Sequence, residues 1–478
     1  MMVLWIVLGL LLCFLAVIFV RALRFTPAPE EPVQAEPIPT DDAALAAHLQ
    51  AMIQIPTVSS TDWSQVDSAQ FTAFQALLRR LYPTVFAKCQ FEIIGRNGLL
   101  FRWKGRSAEQ PSVLMAHYDV VPANAEEWSE PPFSGLIKNG ELWGRGTLDT
   151  KGTLFGVIES AEALLQSGFI PQHDVYMAFG GDEECLGSDA NAIVDELEKR
   201  GVKPGFVLDE GGAIVDGVFP GVKRSAAVIG ISEKGNVFMD LTATGRAGHA
   251  SAPLSKQCVG TLARALLRLQ NHPMPFTLTK PALELFDTLG RHSTLAYRLL
   301  FANLWCFAPL LNLLCKKMGG ELNALVRTTC ALTRLSGASA YNVMPAQCKA
   351  GVNARVICGD SIAAAKARME KIIADPNVTV SFVGGSEPCS ISPTDGEPWN
   401  RLKRAIRQTY PDALVSPYLM VAGSDSRHYC RICDNVYRFS GMPLSKAQRG
   451  MIHGVDERIP LALLPDTVRF FTRVLKQC

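Results

Sequence analysis

Three short apolar runs in this chain end on acids or histidine, and that repeated ending restricts the fold more than any other feature. They are "SVLMAHYD" (112–119), "DVYMAFGGDEE" (174–184) and "PGFVLDEGG" (204–212), with the Gly-rich turn "GRGTLDTKG" (144–152) between the first two. Helical patterns separate them. Leu154, Val157, Ile158, Ala161, Leu164 and Leu165 share one helix face, and Gly168 closes that helix. Strands alternating with helices predict an α/β sheet, where ligands gather beyond the carboxyl ends of the strands. His117, Asp119, Glu183, Glu184 and Asp209 all fall at that edge.

The pattern changes near residue 228. From there the order is strand ("NVFMDLTATG"), helix ("VGTLARALLRL"), a long apolar insertion, strand ("CKAGVNARVI"), helix ("SIAAAKARMEKIIA") and strand ("VTVSFVG"). This predicts a second, smaller α+β domain over 228–384, inserted into a first domain made of 41–227 and 385–478. At 478 residues the chain exceeds what one core usually holds, which agrees with two domains. The 47 basic and 45 acidic residues nearly balance, so nothing in the charge calls for a nucleic-acid partner. Thirteen Cys without a repeating spacing argue for reduced thiols rather than a disulfide framework; "CRIC" (Cys430, Cys433) has metal or redox spacing but no second pair beside it.

The amino terminus belongs to neither domain. "MVLWIVLGLLLCFLAVIFV" carries no charge, is long enough to cross a bilayer and lacks a small-residue cleavage site, so residues 1–24 read as a transmembrane signal anchor. Arg21 and Arg24 follow it with no Lys or Arg before it, which by the positive-inside rule is a vote for a cytoplasmic globular part. The Pro-rich, acidic 25–40 reads as an extended stalk holding the globular part off the membrane.

Why an apolar strand should finish on His117 and Asp119 is open from that segment alone. Two positions apart they share a face, either as a structural hydrogen bond or with Asp119 orienting a His that works elsewhere. So many carboxylates at one sheet edge repel each other and resist burial unless a cation joins them. Two His with three or four carboxylates suit zinc better than magnesium or calcium.

These segments, with "IHGVDE" (452–457) far downstream, resemble those of the di-zinc metallopeptidase family of aminoacylase, carboxypeptidase S and succinyl-diaminopimelate desuccinylase. The resemblance covers nearly the whole chain after residue 40. It implies a zinc-peptidase catalytic domain with an inserted ferredoxin-like lid domain, and two zinc ions (Zn2+) per subunit. His117 would bind one zinc, Asp149 bridge both, Glu184 bind the other, Asp209 complete the first site and His453 the second. The family uses either acid at the position of Asp209 and Glu210; Asp209 is chosen because it directly follows the apolar run. Asp119 would fix the His117 tautomer, Glu183 act as general base, and His249 in "GRAGHASAP" stabilise the oxyanion, in this family often across a homodimer formed through the lid domain. Asn342 in "YNVMP" and Arg427 in "GSDSRHY" would contact the substrate, Arg427 gripping a free carboxylate.

Between "LFDTLGRH" and "LVRTTCALT" the apolar insertion, about 285–325, has helical spacing. It is read as helices packing on the lid or at a dimer seam, as a wall for a long acyl chain, or as a second membrane contact. The insertion, "LVRTTCALT", "NVMP" and the anchor together resemble the branch of carboxypeptidase S and the N-fatty-acyl-amino acid synthase/hydrolase. That implies hydrolysis, or its reversal, of N-acyl amino acids, or of peptides from the carboxyl end. A plain dipeptidase or short-chain deacylase is the alternative among enzymes. The rival from another class, a membrane-tethered binding protein on a dead peptidase fold, sits poorly with every metal position being filled.

Overall fold

The computed structural model describes residues 1–478 except 31, 218 and 220, none of them an expected site residue. The larger of its two main sheets is mixed. Its strands run in the order Gln90–Ile94, Gly98–Trp103, His173–Gly180, Ser107–His117, Phe206–Asp209, Val436–Arg438, Ala226–Glu233 and Leu414–Met420. The middle four are parallel, which aligns the carboxyl ends of the three acid-ending strands. Helix Lys151–Gln166 is buried along almost its whole length. It packs so closely on the C-terminal helix Leu464–Leu475 that a Cβ at Gly156 would stand 2.7 Å from the Phe471 ring. Gly168, at φ +77°, ends that turn as the sequence predicts.

The second sheet is antiparallel, in the order Thr329–Ser336, Gln347–Val356, Gly235–Thr244 and Val378–Gly385. Val237, Met239, Leu241 and Ala243 are buried in alternation along Gly235–Thr244 and meet Leu262 and Met369 of helices Cys258–Asn271 and Ile362–Ile373 in a separate core.

Three expectations about organisation change. Strand Ala226–Glu233 belongs to the larger sheet, so the chain crosses to the second sheet at Lys234–Gly235 rather than at 228. The apolar insertion packs on the first core: Phe286 and Phe301 form a ring cluster with Phe219, and Leu311, Cys315 and Leu325 join the same core. Segment 25–40 does not hold the domain at a distance. Arg291 donates to the Thr26 carbonyl, Gln408 to Gln34, Arg473 to Glu36 and Arg469 to Ile38, so the segment is strapped along the surface. Its Pro content supplies extended backbone with open carbonyls, and these three arginines and one glutamine take them.

Candidate metal centre

The site assembles at the carboxyl edge of the larger sheet. His117 ends its strand with 2% of its surface exposed. Its Nδ1 lies 3.3 Å from Asp119 Oδ1, and its Nε2 faces Asp149 Oδ1 at 3.1 Å, Glu210 Oε1 at 3.5 Å and Glu183 Oε2 at 4.0 Å. Asp119 does more than hold the imidazole. Its carboxylate also accepts from the backbone N–H groups of Glu183 and Glu184 and from Ser59 Oγ, fixing the acidic turn against the histidine strand.

Asp149 stands between two imidazoles. Its Oδ1 faces His117, while its Oδ2 is 3.1 Å from His453 Nε2, which in turn is 2.9 Å from Glu184 Oε2. The turn carrying Asp149 is held by Glu457, a buried residue beyond the expected set. Glu457 accepts from the N–H groups of Gly146 (3.1 Å), Leu148 (2.7 Å) and Asp149 (3.2 Å), and pairs with Arg145 at 2.7 Å. It lies four positions after His453, so one short segment supplies an imidazole and braces the carboxylate facing it. The motif "IHGVDE" contained this glutamate, but only the fold reveals the groups that donate to it.

Asp209 is not part of the cluster. Its two oxygens accept the N–H groups of Glu210 and Ser426, each at 2.9 Å. Glu210 takes the place expected of Asp209. Single ligand atoms of His117, Asp149 and Glu184, and likewise of His117, Glu183 and Glu210, lie within 4.8 Å of one another.

The electrostatics follow from this crowding. Burial and the nearby Asp149 push Glu210 up to about 8. Burial, opposed in part by His117 and reinforced by Asp425, Glu210 and Glu184, holds Glu183 well above the carboxylate range. Burial opposes charge on His117 too, but hydrogen bonds to Asp119, Asp149 and Glu210 raise it, and those to Asp149 and Glu184 bring His453 to about 10. Acids that must keep protons and imidazoles that must gain them form a donor set that divalent cations would relieve. Glu184 Oε1 is buried without a hydrogen-bond partner, and Asp149 has one oxygen towards each histidine; both fit a pair of metal ions.

The remaining expected residues lie apart. His249 is exposed, its Nδ1 2.7 Å from Ser251 Oγ, in a two-residue strand paired with Val343–Met344. That pairing brings exposed Asn342 beside it, its carbonyl accepting from Ala250 N. Arg427 donates to Ser424 O at 2.7 Å and lies 3.6 Å from Asp425. The loop beneath it is tied down by a buried ion pair: Glu233 and Arg438, 2.6 Å apart, both bond Ser426, and Glu233 also takes Ser424. Asp425 lies between Arg427 and this edge: its Oδ2 is buried against Gly180 without a hydrogen-bond partner, and burial holds its carboxyl well above the carboxylate range, opposed in part by Arg427.

Residues 113–477 match the model of peptidase family M20/M25/M40. The chain belongs to that family. It is a metallopeptidase/amidohydrolase, and the family's members include dinuclear metal-binding peptidases. A probable carboxypeptidase S-like protein of Dictyostelium discoideum is 36% identical, the match covering 91% of this chain and 85% of that protein. An N-fatty-acyl-amino acid synthase/hydrolase of Danio rerio is 35% identical, with 92% and 86% covered. In fold, the peptidase is similar to the M20 metallo-carboxypeptidase Sso-CP2 of Sulfolobus solfataricus (TM-score 0.67, 18% identity, 91% of this chain and 98% of that one). These matches place the chain in the branch that its motifs, insertion and apolar amino terminus resemble.

Proposed function

We propose that this M20 peptidase is a membrane-anchored, zinc-dependent hydrolase that releases an amino acid from N-acyl amino acids, and can run in the reverse direction. The observation that carries the reading is the Asp149 carboxylate held between His117 and His453, with Glu210 and Glu184 on either side. His117, Asp149 and Glu210 would hold one zinc, and Asp149, Glu184 and His453 the other. When bound, the metals would supply Lewis acidity towards the scissile carbonyl and lower the pKa of water.

The protein's own groups do the rest. Glu183, buried and not needed as a ligand, takes the proton from water at its carboxylate and delivers it to the leaving amine nitrogen. His249 donates to the oxyanion once the second sheet, acting as a ferredoxin-like lid, brings it over the floor; a homodimer through this lid is the alternative route. Arg427 grips the free carboxylate of the amino acid, and Asn342 donates to the substrate's carbonyl or carboxylate. The N-acyl preference draws on the Danio rerio relative and on the apolar insertion.

The test is a hydrolysis screen of N-acyl amino acids of increasing chain length against dipeptides, alongside metal analysis. A buried methylene is worth about 0.8 kcal/mol, so kcat/KM should climb about fourfold per carbon over several carbons and then level. A flat profile with faster dipeptide cleavage would replace this reading with a dipeptidase.

A further inference from the structure

The bent helix pair Leu295–Phe301 and Leu304–Met318 meets the N-terminal helix Met2–Arg24 through contacts that fix its depth. Arg21 donates to Ala302 O and to Asn303 Oδ1, while Asn303 Nδ2 donates to Ile18 O and Leu299 O. Seven residues before Arg21, Phe14 packs edge-on against Trp305 with ring centroids 5.9 Å apart. Seven residues are about 10 Å along a helix axis. The 23 residues of the N-terminal helix span about 35 Å, against a hydrocarbon layer of about 30 Å. If that helix crosses a bilayer ending near Arg21, Trp305 therefore lies inside the apolar layer.

The second helix of the pair is built for that surrounding. One face, Leu311 and Cys315, is buried in the first core, and Asn312 accepts from Arg327. Trp305, Leu310, Leu313, Leu314 and Met318 are exposed on the rest. A helix on the surface of a water-soluble domain turns polar residues outward; this one is apolar on both sides except for exposed Lys316 and Lys317 in its last turn, whose long stems suit a headgroup layer beside apolar surface. At the bend, where a helix end leaves carbonyls free, Arg21 and Asn303 satisfy the backbone from within the protein, as a lipid surrounding requires.

We propose that this pair is a second membrane-seated element, resting its exposed face in the acyl region of the leaflet that the N-terminal helix leaves at Arg21. The inference rests on reading that helix as a retained anchor. The pair also leads to the catalytic edge. Just after it, Glu321 accepts from Tyr418 Oη at 2.7 Å and lies 3.6 Å from Arg449, in the helix Lys446–Met451 that precedes His453. An acyl substrate dissolved in the leaflet thus has the insertion between itself and the site.

The full chain in phosphatidylcholine vesicles containing a lipid with a diazirine on its acyl chain tests this by irradiation and peptide mapping. Adducts are expected on residues 2–20 and on 304–318, and not on Leu335 or Phe382, which are exposed on the second sheet. Leu313→Glu should lose the 304–318 adducts and keep those on 2–20. Adducts on 2–20 alone overturn this inference and leave the anchor standing; none in either segment overturns both. Equal labelling of Leu335 and Phe382 would show indiscriminate contact and overturn it. So would cross-links from Lys316 or Lys317 to a second copy in place of lipid adducts, since the face would then be an interface between copies.

Discussion

His117 and His249 serve the proposed reaction from opposite conditions. His117 is enclosed, with both ring nitrogens engaged and its Asp119 partner bonded to the next acidic turn. His249 is exposed and bonded to a serine two residues away. The enclosed half gathers its residues from strand ends and turns at one edge of one sheet, already within reach of one another. The exposed half stands on another sheet with its own core, so its arrival over the floor is a separate event. On the proposed reading, metal binding and transition-state binding would fall to two parts of the molecule that can be broken one at a time.

The largest effect should come from the floor. Glu210→Gln is expected to lose one metal and nearly all activity, whereas Asp209→Asn should keep both metals by mass spectrometry of the native protein; the reverse pattern would restore Asp209 as ligand. Glu183→Gln should retain both metals and lose turnover by about 100-fold or more, the scale of a missing general base. An active variant would remove that role. On the other side of the comparison, His249→Ala should lower kcat by roughly 100-fold, as for a lost oxyanion donor, with metal content unchanged. Mixing it with Glu183→Gln sharpens the point. Recovered activity would place His249 in a neighbouring subunit's site, and no recovery would place it in its own. The smallest change is expected for Glu457→Gln, which weakens the brace on Asp149; metal affinity should fall by about tenfold, the low end for a group behind a ligand, with the protein still folded by circular dichroism.

Much of the enclosed half was legible in the sequence because strands impose direction. Apolar runs that end in charge announce a sheet edge, and His117, Asp149, Glu183, Glu184 and His453 do converge there. The choice between Asp209 and Glu210 was not legible, since neighbours on a strand face opposite ways and chain order does not say which way is inward. Ser426, more than two hundred residues later, bonds Asp209 and leaves Glu210 as the acid facing His117. Glu457 was hidden for a similar reason: its donors are backbone N–H groups, which leave no mark in composition. The strap over 25–40 was read as a stalk because its partners are arginines and a glutamine on helices distant in the chain.

That strap carries a geometric consequence. Sixteen free residues would reach about 50 Å and let an anchored enzyme tumble on its leash. Fastened at Thr26, Gln34, Glu36 and Ile38, the segment is held to the domain's surface at both ends. An enzyme anchored this way would keep one face towards the membrane. Two copies in the same bilayer would then share an up direction, so any pair they form must have its twofold axis along the membrane normal. For an anchored enzyme, encounters would become a search in a plane among molecules already aligned, and head-to-head arrangements open to a freely tumbling protein would be closed.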